Sequence, residues 1–324
     1  MQRTDLFEFI RDTLSNAGYY VSEAYFIRSI GFDLVARRDN SLLIIKVLTN
    51  INAFPEEIAD ELKKLSQLLG GHPLLIGLRT GSGILETGVV YDRFGIQAIN
   101  PETLHGHLLE GLPLKVYAAP GGFYTSINTE KLTELRKQQN LSRGSFAREV
   151  HVSRRMVRMY EGGMNARVDV AYRIETLFGD SVIEPIDIIH GTKKKAQPNN
   201  TEEHNQQPLS EHRHPLTKEI FTLLNQLGYT IIPLGRCPFE AVSKEKEKIL
   251  LTCVQQYDPK LKEKAKVVTN ISKITEKRAV FFTDKKGRKN NIEGTPLIIK
   301  SELRKIKDPE DIIELIIQRR TKET

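Results

Sequence analysis

Apolar positions recur at helical spacing over residues 5–16, where Leu6, Phe9, Ile10 and Leu14 share one face. Gly18 closes that helix, and Tyr19-Tyr20-Val21 begins extended chain. Two apolar runs follow, FDLVAR at 32–37 and LLIIKVL at 42–48, with Asp39-Asn40-Ser41 between them as a natural hairpin turn. Helical spacing returns over 55–69, with Pro55 at its start and Gly70-Gly71 behind it. Residues 74–78 (LLIGL) predict a buried strand, and 88–91 and 96–99 predict further short strands. Helix, hairpin, helix and strand in this order make an α/β unit over residues 1–125.

The period then becomes helical throughout. Residues 129–139 place Leu132 and Leu135 on one face, with Thr129 as the expected cap. Residues 142–161 (SRGSFAREVHVSRRMVRMYE) predict two short helices joined by a tight turn. Ala147 sits where the two must cross closely, and Val150 and Val152 flank the turn and face inward. Ser153 is a good N-cap, because its hydroxyl can accept a bond from a free amide of the next turn. Beyond it Val157 and Tyr160 share one face, with Met156 beside them. Arg154, Arg155 and Arg158 fall mostly on the other. Gly162-Gly163 stops the helix, and Val170, Ile174 and Leu177 recur at helical spacing over 167–178. This predicts a four- to five-helix domain over 126–190.

Residues 191–215 are polar, contain proline and have no hydrophobic period, so they read as a flexible linker. Its histidines, His204, His212 and His214, match no closed zinc pattern. The chain from 216 onward then echoes its beginning. Residues 216–229 follow the pattern of 6–19, and 238–257 align to 31–50 without a gap. A helix over 259–268 and strands over 279–283 and 297–300 follow in the same order, and an unusually apolar closing helix over 309–320 either completes the core, the preferred reading, or dimerises. Residues 216–324 are therefore expected to be a second α/β domain, a diverged repeat of the first.

Composition narrows the setting. A chain of 324 residues suggests two or three domains, and 39% hydrophobic with 27% charged residues is the mix of a soluble globular protein. No apolar run reaches a membrane-spanning length, and the N-terminal helix carries acids, unlike a signal peptide. Two cysteines, Cys237 and Cys253, make no disulfide framework, so a cytoplasmic setting is expected. A net charge of +7 favours a polyanionic partner. The basic residues cluster late: Lys260, Lys262, Lys264, Lys266, Lys273, Lys277 and Arg278 precede an expected hairpin-like tip, Lys285–Lys289. Such a series either reaches phosphates or forms a solvated charged surface.

The order L-x-x-L-R, N-L-S-R-x-S-F-A and V-S-R-R-M-V-R-M-Y-E closely resembles the helix-turn-helix domain of the lambda repressor and Cro class. The resemblance implies that the helix starting at Ser153 enters the major groove. The family's base-reading positions fall on Arg154, Arg155 and Met159. Arginine suits guanine O6 and N7, whereas Met159 offers apolar contact, as with a thymine methyl. Where the family usually has Gln after the Leu-Ser pair, this chain has Arg143. Arg143, Ser153 and Arg158 are then expected at the DNA backbone.

Asp33 and Lys46, near the ends of successive strands, resemble the layout of PD-(D/E)XK nucleases, which hold a divalent metal with two carboxylates. The second carboxylate position, two before Lys46, is Ile44, and Glu23 is the nearest substitute by position. The corresponding residues of the later segment are Glu240, Leu251 and Cys253. The resemblance implies the fold with its site lost, so no catalytic residue, metal ligand or cofactor is assigned.

The whole order also resembles a family of archaeal transcription regulators with a helix-turn-helix mid-chain. The expected architecture is α/β plus all-α: a repressor-type helix-turn-helix domain between two related, degenerate nuclease-like α/β domains. The expected function is a sequence-specific transcription regulator, a homodimer on double-stranded DNA, with no membrane and no small-molecule ligand assigned. The alternatives are a metal-dependent DNA nuclease and an architectural or adaptor DNA-binding protein.

Overall fold

A computed structural model of the chain describes residues 3–23, 30–191, 214–287 and 289–320. The expected linker, with His204 and His212, lies almost wholly outside them. The chain begins with α1 (Arg3–Asn16), which buries Leu6, Ile10 and Leu14 as expected, with Phe7 completing the stripe and the expected Phe9 only half-buried. Then come β1 (Tyr20–Val21), β2 (Leu34–Arg38) and β3 (Ser41–Asn50). Helix α2 (Glu56–Leu69) leads into β4 (His72–Arg79), β5 (Val89–Arg93), β6 (Ile96–Ile99) and α3 (Pro101–Leu109). The expected start of the second strand at 32 moves to Leu34, although the Asp33 amide still donates to the Ile45 carbonyl of β3 at 2.8 Å.

A hairpin that the hydrophobic pattern did not predict follows: β7 (Val116–Ala119) and β8 (Gly122–Thr125). After it come α4 (Thr129–Gln138), α5 (Arg143–Glu149), α6 (Arg154–Tyr160), the two-residue strand β9 (Ala166–Arg167) and α7 (Val168–Phe178). Strand β9 takes the place of the expected first residue of a helix beginning at 167. The last described stretch holds α8 (Pro215–Gln226), β10 (Thr230–Pro233), β11 (Ala241–Glu245), β12 (Lys248–Val254) and α9 (Lys260–Thr275). It ends with β13 (Arg278–Thr283), β14 (Asn291–Ile292), β15 (Thr295–Ile299), α10 (Lys300–Leu303) and α11 (Pro309–Arg320). His214 caps α8, its ring nitrogen accepting from the Leu216 amide at 3.2 Å.

Two expectations are corrected here. Helix α9 runs to Thr275 rather than stopping at 268, because Val268, Ile271, Ile274 and Thr275 keep the buried stripe going. Of the expected tip at 285–289, Arg288 lies outside the described residues and the others belong to no strand. The hairpin lies at β14 and β15, where Ile292 pairs with Thr295 around Glu293-Gly294.

The two α/β segments share strand order. It is β1-β2-β3-β4-β6-β5 in the first and β10-β11-β12-β13-β15-β14 in the second. Register agrees as well. Leu34 pairs with Ile45 and Arg38 with Ser41. Ala241 pairs with Thr252 and Glu245 with Lys248, which are the same positions in the ungapped alignment of 31–50 with 238–257. The turn residues Asp39 and Lys246 both stand at φ 50°. Phe94-Gly95 and Glu293-Gly294 both have two successive positive φ values, the pattern of the type I′ turn that matches strand twist.

By contacts the chain divides into two compact units. One gathers Met1–Tyr19, Lys46–Ala59 and His72–Thr192, the other Tyr20–Ile45, Asp60–Gly71 and Lys193–Thr324. In the first unit Gly77 sits in the buried middle of β4. A Cβ there would lie 2.4 Å from the Ile51 side chain and 3.1 Å from the Leu48 carbonyl oxygen. Backbone cannot yield as a side-chain tip can, so Gly77→Ala is expected to destabilise the protein by about 1–3 kcal/mol, read from the urea midpoint.

Candidate nucleic-acid interface

Three short helices carry the candidate surface, each started by a side-chain cap. Asn128, rather than the expected Thr129, caps α4, accepting from the Lys131 amide at 2.9 Å. Ser142 accepts from Ser145 at 3.0 Å and Ser153 from Met156 at 3.1 Å, so α5 and α6 each satisfy one of their free amides. Between them His151 takes a left-handed conformation, φ 54°. Its amide bonds the Arg148 carbonyl, and the Val152 amide reaches back to Ala147 at 2.9 Å. This is the turn that reverses the chain.

The interior is apolar and closely filled. Leu132, Phe146, Ala147, Val150, Val157, Tyr160 and Ile174 are all buried, and the Phe146 and Phe178 rings lie 5.2 Å apart. Ala147, the small residue expected where α5 and α6 cross, is buried in this core. Arg173, from α7, donates Nε to the Val150 carbonyl at 2.9 Å and so satisfies the C-terminal end of α5.

With Val157 and Tyr160 fixed inward, the other side of α6 faces solvent. Ser153, Arg154, Arg155 and Arg158 are exposed, and Met159 is 39% exposed. Among the described residues none of these three arginines has an ion-pair partner. Three guanidiniums and a thioether therefore spread over about 140° of the outer side of a helix about 10 Å long, with the Ser153 hydroxyl at its N-terminus capping the first turn. Arg143 lies on α5 instead and is anchored: its Nε donates to Glu161 at 2.6 Å. A phosphate contact from Arg143 is left to its two terminal nitrogens.

Glu161 is the residue that the sequence pattern did not single out. Its side chain is 5% exposed, just past α6. One carboxylate oxygen accepts from Arg136 Nε at 2.5 Å and the other from Arg143. Arg136 is itself buried and also donates to the Leu141 carbonyl at 2.7 Å. A signal was present, since Arg136 follows Leu132 and Leu135 on the apolar side of α4, where a charge needs a partner. Burial pushes the Glu161 carboxyl up, but the hydrogen bonds from Arg136 and then Arg143 outweigh burial and hold it below the ordinary 4.5.

This bundle is stitched to the preceding hairpin. β9 pairs with β8, Tyr124 opposite Arg167 and Thr125 opposite Ala166. Ile127 bridges Ile183, and the Asn128 amide bonds the Val182 carbonyl at 2.9 Å. Lys115 and Glu175 form an ion pair at 2.6 Å. The hairpin in turn continues the sheet through the parallel pair β5 and β7.

Of the nuclease-like positions Asp33, Ile44 and Lys46, only Asp33 carries a carboxylate. Asp33 is buried, Ile44 is wholly buried and supplies no oxygen, and Glu23 is exposed at the end of β1. At the matching place in the second α/β segment, Glu240 accepts from the Val254 amide at 2.6 Å and pairs with Lys264 at 2.6 Å. An ammonium thus occupies the carboxylate that a cation would need, and Lys264 leaves the free basic series. Cys253 is wholly buried, and burial pushes its thiol well above the ordinary range, as it does for Cys237. Among the described residues no three His, Cys, Asp or Glu side chains gather as metal ligands.

The profile of the PD-(D/E)XK superfamily domain matches residues 3–114, and a helix-turn-helix profile matches 132–181. A protein of Methanosarcina acetivorans named "Putative HTH-type transcriptional regulatory protein" is 37% identical over 322 residues, covering 99% of this chain and 98% of its own length. Proteins of the same name from Halorubrum lacusprofundi and Methanococcoides burtonii are 35% and 37% identical, each covering 98% of both chains. The chain belongs to this archaeal family. No solved structure matches it. The resemblances drawn from the sequence, to helix-turn-helix regulators and to a nuclease-like unit, agree with these matches. None of the described helices is long and apolar enough to cross a membrane.

The buried Glu161 gives a pH-dependent prediction. A carboxyl held below its unfolded value contributes its full stability above 4.5 and loses it as pH falls below that. Glu161→Gln leaves Arg136 buried without its counter-charge and is expected to cost about 3 kcal/mol at neutral pH. Urea unfolding of both proteins should show the gap closing as pH is lowered below 4.5.

Proposed function

We propose that this protein is a sequence-specific DNA-binding transcription regulator that reads the major groove with α6. The observation that carries this is the exposed face of α6: Arg154, Arg155, Arg158 and Met159 point outward from a helix whose opposite face is sealed into a core. In this reading Arg154 and Arg155 meet base edges, and Met159 touches a thymine methyl. Arg158, Ser153 and the terminal nitrogens of Arg143 hold the backbone. The repressor-type arrangement follows, with domains at 1–125, 126–190 and 216–324 and a linker over 191–215. The second α/β domain arose by duplication of the first. A module of this size buries little surface, so the protein acts as a homodimer on half-sites about one helical turn apart, in the cytoplasm.

The test is selection of bound sequences from a random duplex pool at fixed moderate salt, with wild type beside Arg154→Ala/Arg155→Ala. A palindromic motif that vanishes in the variant is expected. Arg154→Ala alone should cost about 1–3 kcal/mol and relax preference at one base pair. Binding that ignores both sequence and mutation would defeat the reading.

The nuclease-like fold acts without catalysis in this proposal, because Ile44 leaves Asp33 without the second oxygen ligand. Incubation with plasmid DNA and magnesium or manganese should give no cleavage. Cleavage that Asp33→Asn abolishes would make the protein an enzyme.

A further inference from the structure

Helices α2 and α9 hold the same place in the two α/β segments. Ala59, Leu62, Leu65, Ser66 and Leu69 are buried on α2, and Ala265, Val268, Ile271, Ser272 and Thr275 are buried on α9 at identical spacing. Aligned by these inner faces, the outer faces differ in net charge, that of α2 mixing Glu56, Glu57 and Asp60 with Lys63 and Lys64. Glu56, Asp60 and Gln67 of α2 stand where α9 has Lys262, Lys266 and Lys273. The difference extends to the whole segments. Residues 1–125 hold 11 Lys and Arg against 14 Asp and Glu, whereas 214–320 hold 22 against 14. The positive excess of the chain lies in the second segment.

The three lysines form a stripe. At 3.6 residues per turn they fall within about 40° of one another, over about 16 Å of helix. All three are exposed. Lys262 lies 3.6 Å from Glu293, while Lys266 and Lys273 have no ion-pair partner among the described residues. The stripe ends at a small pocket lined by Thr269, Lys273, Arg278, Thr295 and Arg320, whose lining includes three cations and no carboxylate. Folding does not call for this arrangement. Like charges four residues apart on a helix repel, and a stabilising surface network would alternate acids with the lysines. Glu263 is the sole acid within α9. A polyanion with closely spaced charges relieves that repulsion, and each strand of duplex DNA presents one charge per 3.4 Å of axis.

We infer that the outer face of α9, with the Arg278–Arg320 pocket, is a second DNA contact that binds backbone phosphates without reading sequence. The inference rests on the chain being a DNA-binding protein. It adds a site that supplies affinity while α6 supplies preference.

The test uses the full chain and fluorescence anisotropy with two duplexes, one carrying the selected motif and one scrambled, from about 50 to about 200 mM salt. Lys262→Gln/Lys266→Gln/Lys273→Gln should weaken both duplexes by the same factor and leave their affinity ratio unchanged. It should also lower the slope of log affinity against log salt by about 2–3. The corresponding triple Arg variant, which keeps the charge, should restore the slope. If the Gln variant keeps the wild-type slope and affinity while Arg154→Ala/Arg155→Ala loses motif preference, the second contact is wrong and the regulator reading stands. If wild type binds no duplex at the lowest salt, both fall. Lysine-dependent binding that favours duplex RNA strongly over DNA overturns the choice of partner.

Discussion

One carboxylate holds the candidate reading surface in shape. Glu161 is nearly buried just beyond α6 and is gripped by Arg136 of α4 and Arg143 of α5. Three helices are thereby fixed by one charged group, in a small domain whose apolar interior is limited. A buried carboxylate with one guanidinium would be an even exchange of desolvation for attraction. A second guanidinium on the carboxylate and the Leu141 carbonyl, which takes a further Arg136 proton, tip that exchange toward attraction. The outward aim of Arg154, Arg155 and Arg158 follows, because α6 cannot roll without breaking these bonds or lifting Val157 and Tyr160 from the core.

The bundle is also not a bead on a string within its unit. The β8–β9 pairing, the Ile127–Ile183 bridge and the Lys115–Glu175 ion pair fasten it to the hairpin that extends the first sheet. The strand edge formed by β7 and β8 therefore carries the helices. The two α/β segments then show how one frame bears different surfaces. Strand order, hairpin register and left-handed turn positions agree, while the metal-binding positions and the outer face of the helix after the hairpin do not. Inner faces are constrained by packing volume, and outer faces are constrained only by what they meet.

Much of this was legible in the chain. Most of the inward stripe of α1, the α6 cap, the small buried residue Ala147 and the ungapped match of 31–50 with 238–257 all follow from period, caps and turns. Arg154, Arg155, Arg158 and Met159 lie where the pattern placed them, outside the core. Hairpin β7/β8 and strand β9 were not legible. VYAA and a two-residue strand carry too little alternation to declare themselves. Nor was the length of α9, whose polar outer face hides the continuing buried stripe, nor His151 in a turn where glycine would be the expected signal.

The sequence by itself determined most of the helices and longer strands and their faces, because periodicity and capping act over a few residues. Only the tertiary structure decided which charges are used internally. Arg136, Arg143 and Lys264 resemble any other basic residue in the sequence, yet each is paired with a partly or wholly buried carboxylate 25, 18 or 24 positions away. Pairing depends on distances across the packed core, which no local pattern encodes. It is what separates the arginines and lysines that build this protein from those left to meet a polyanion.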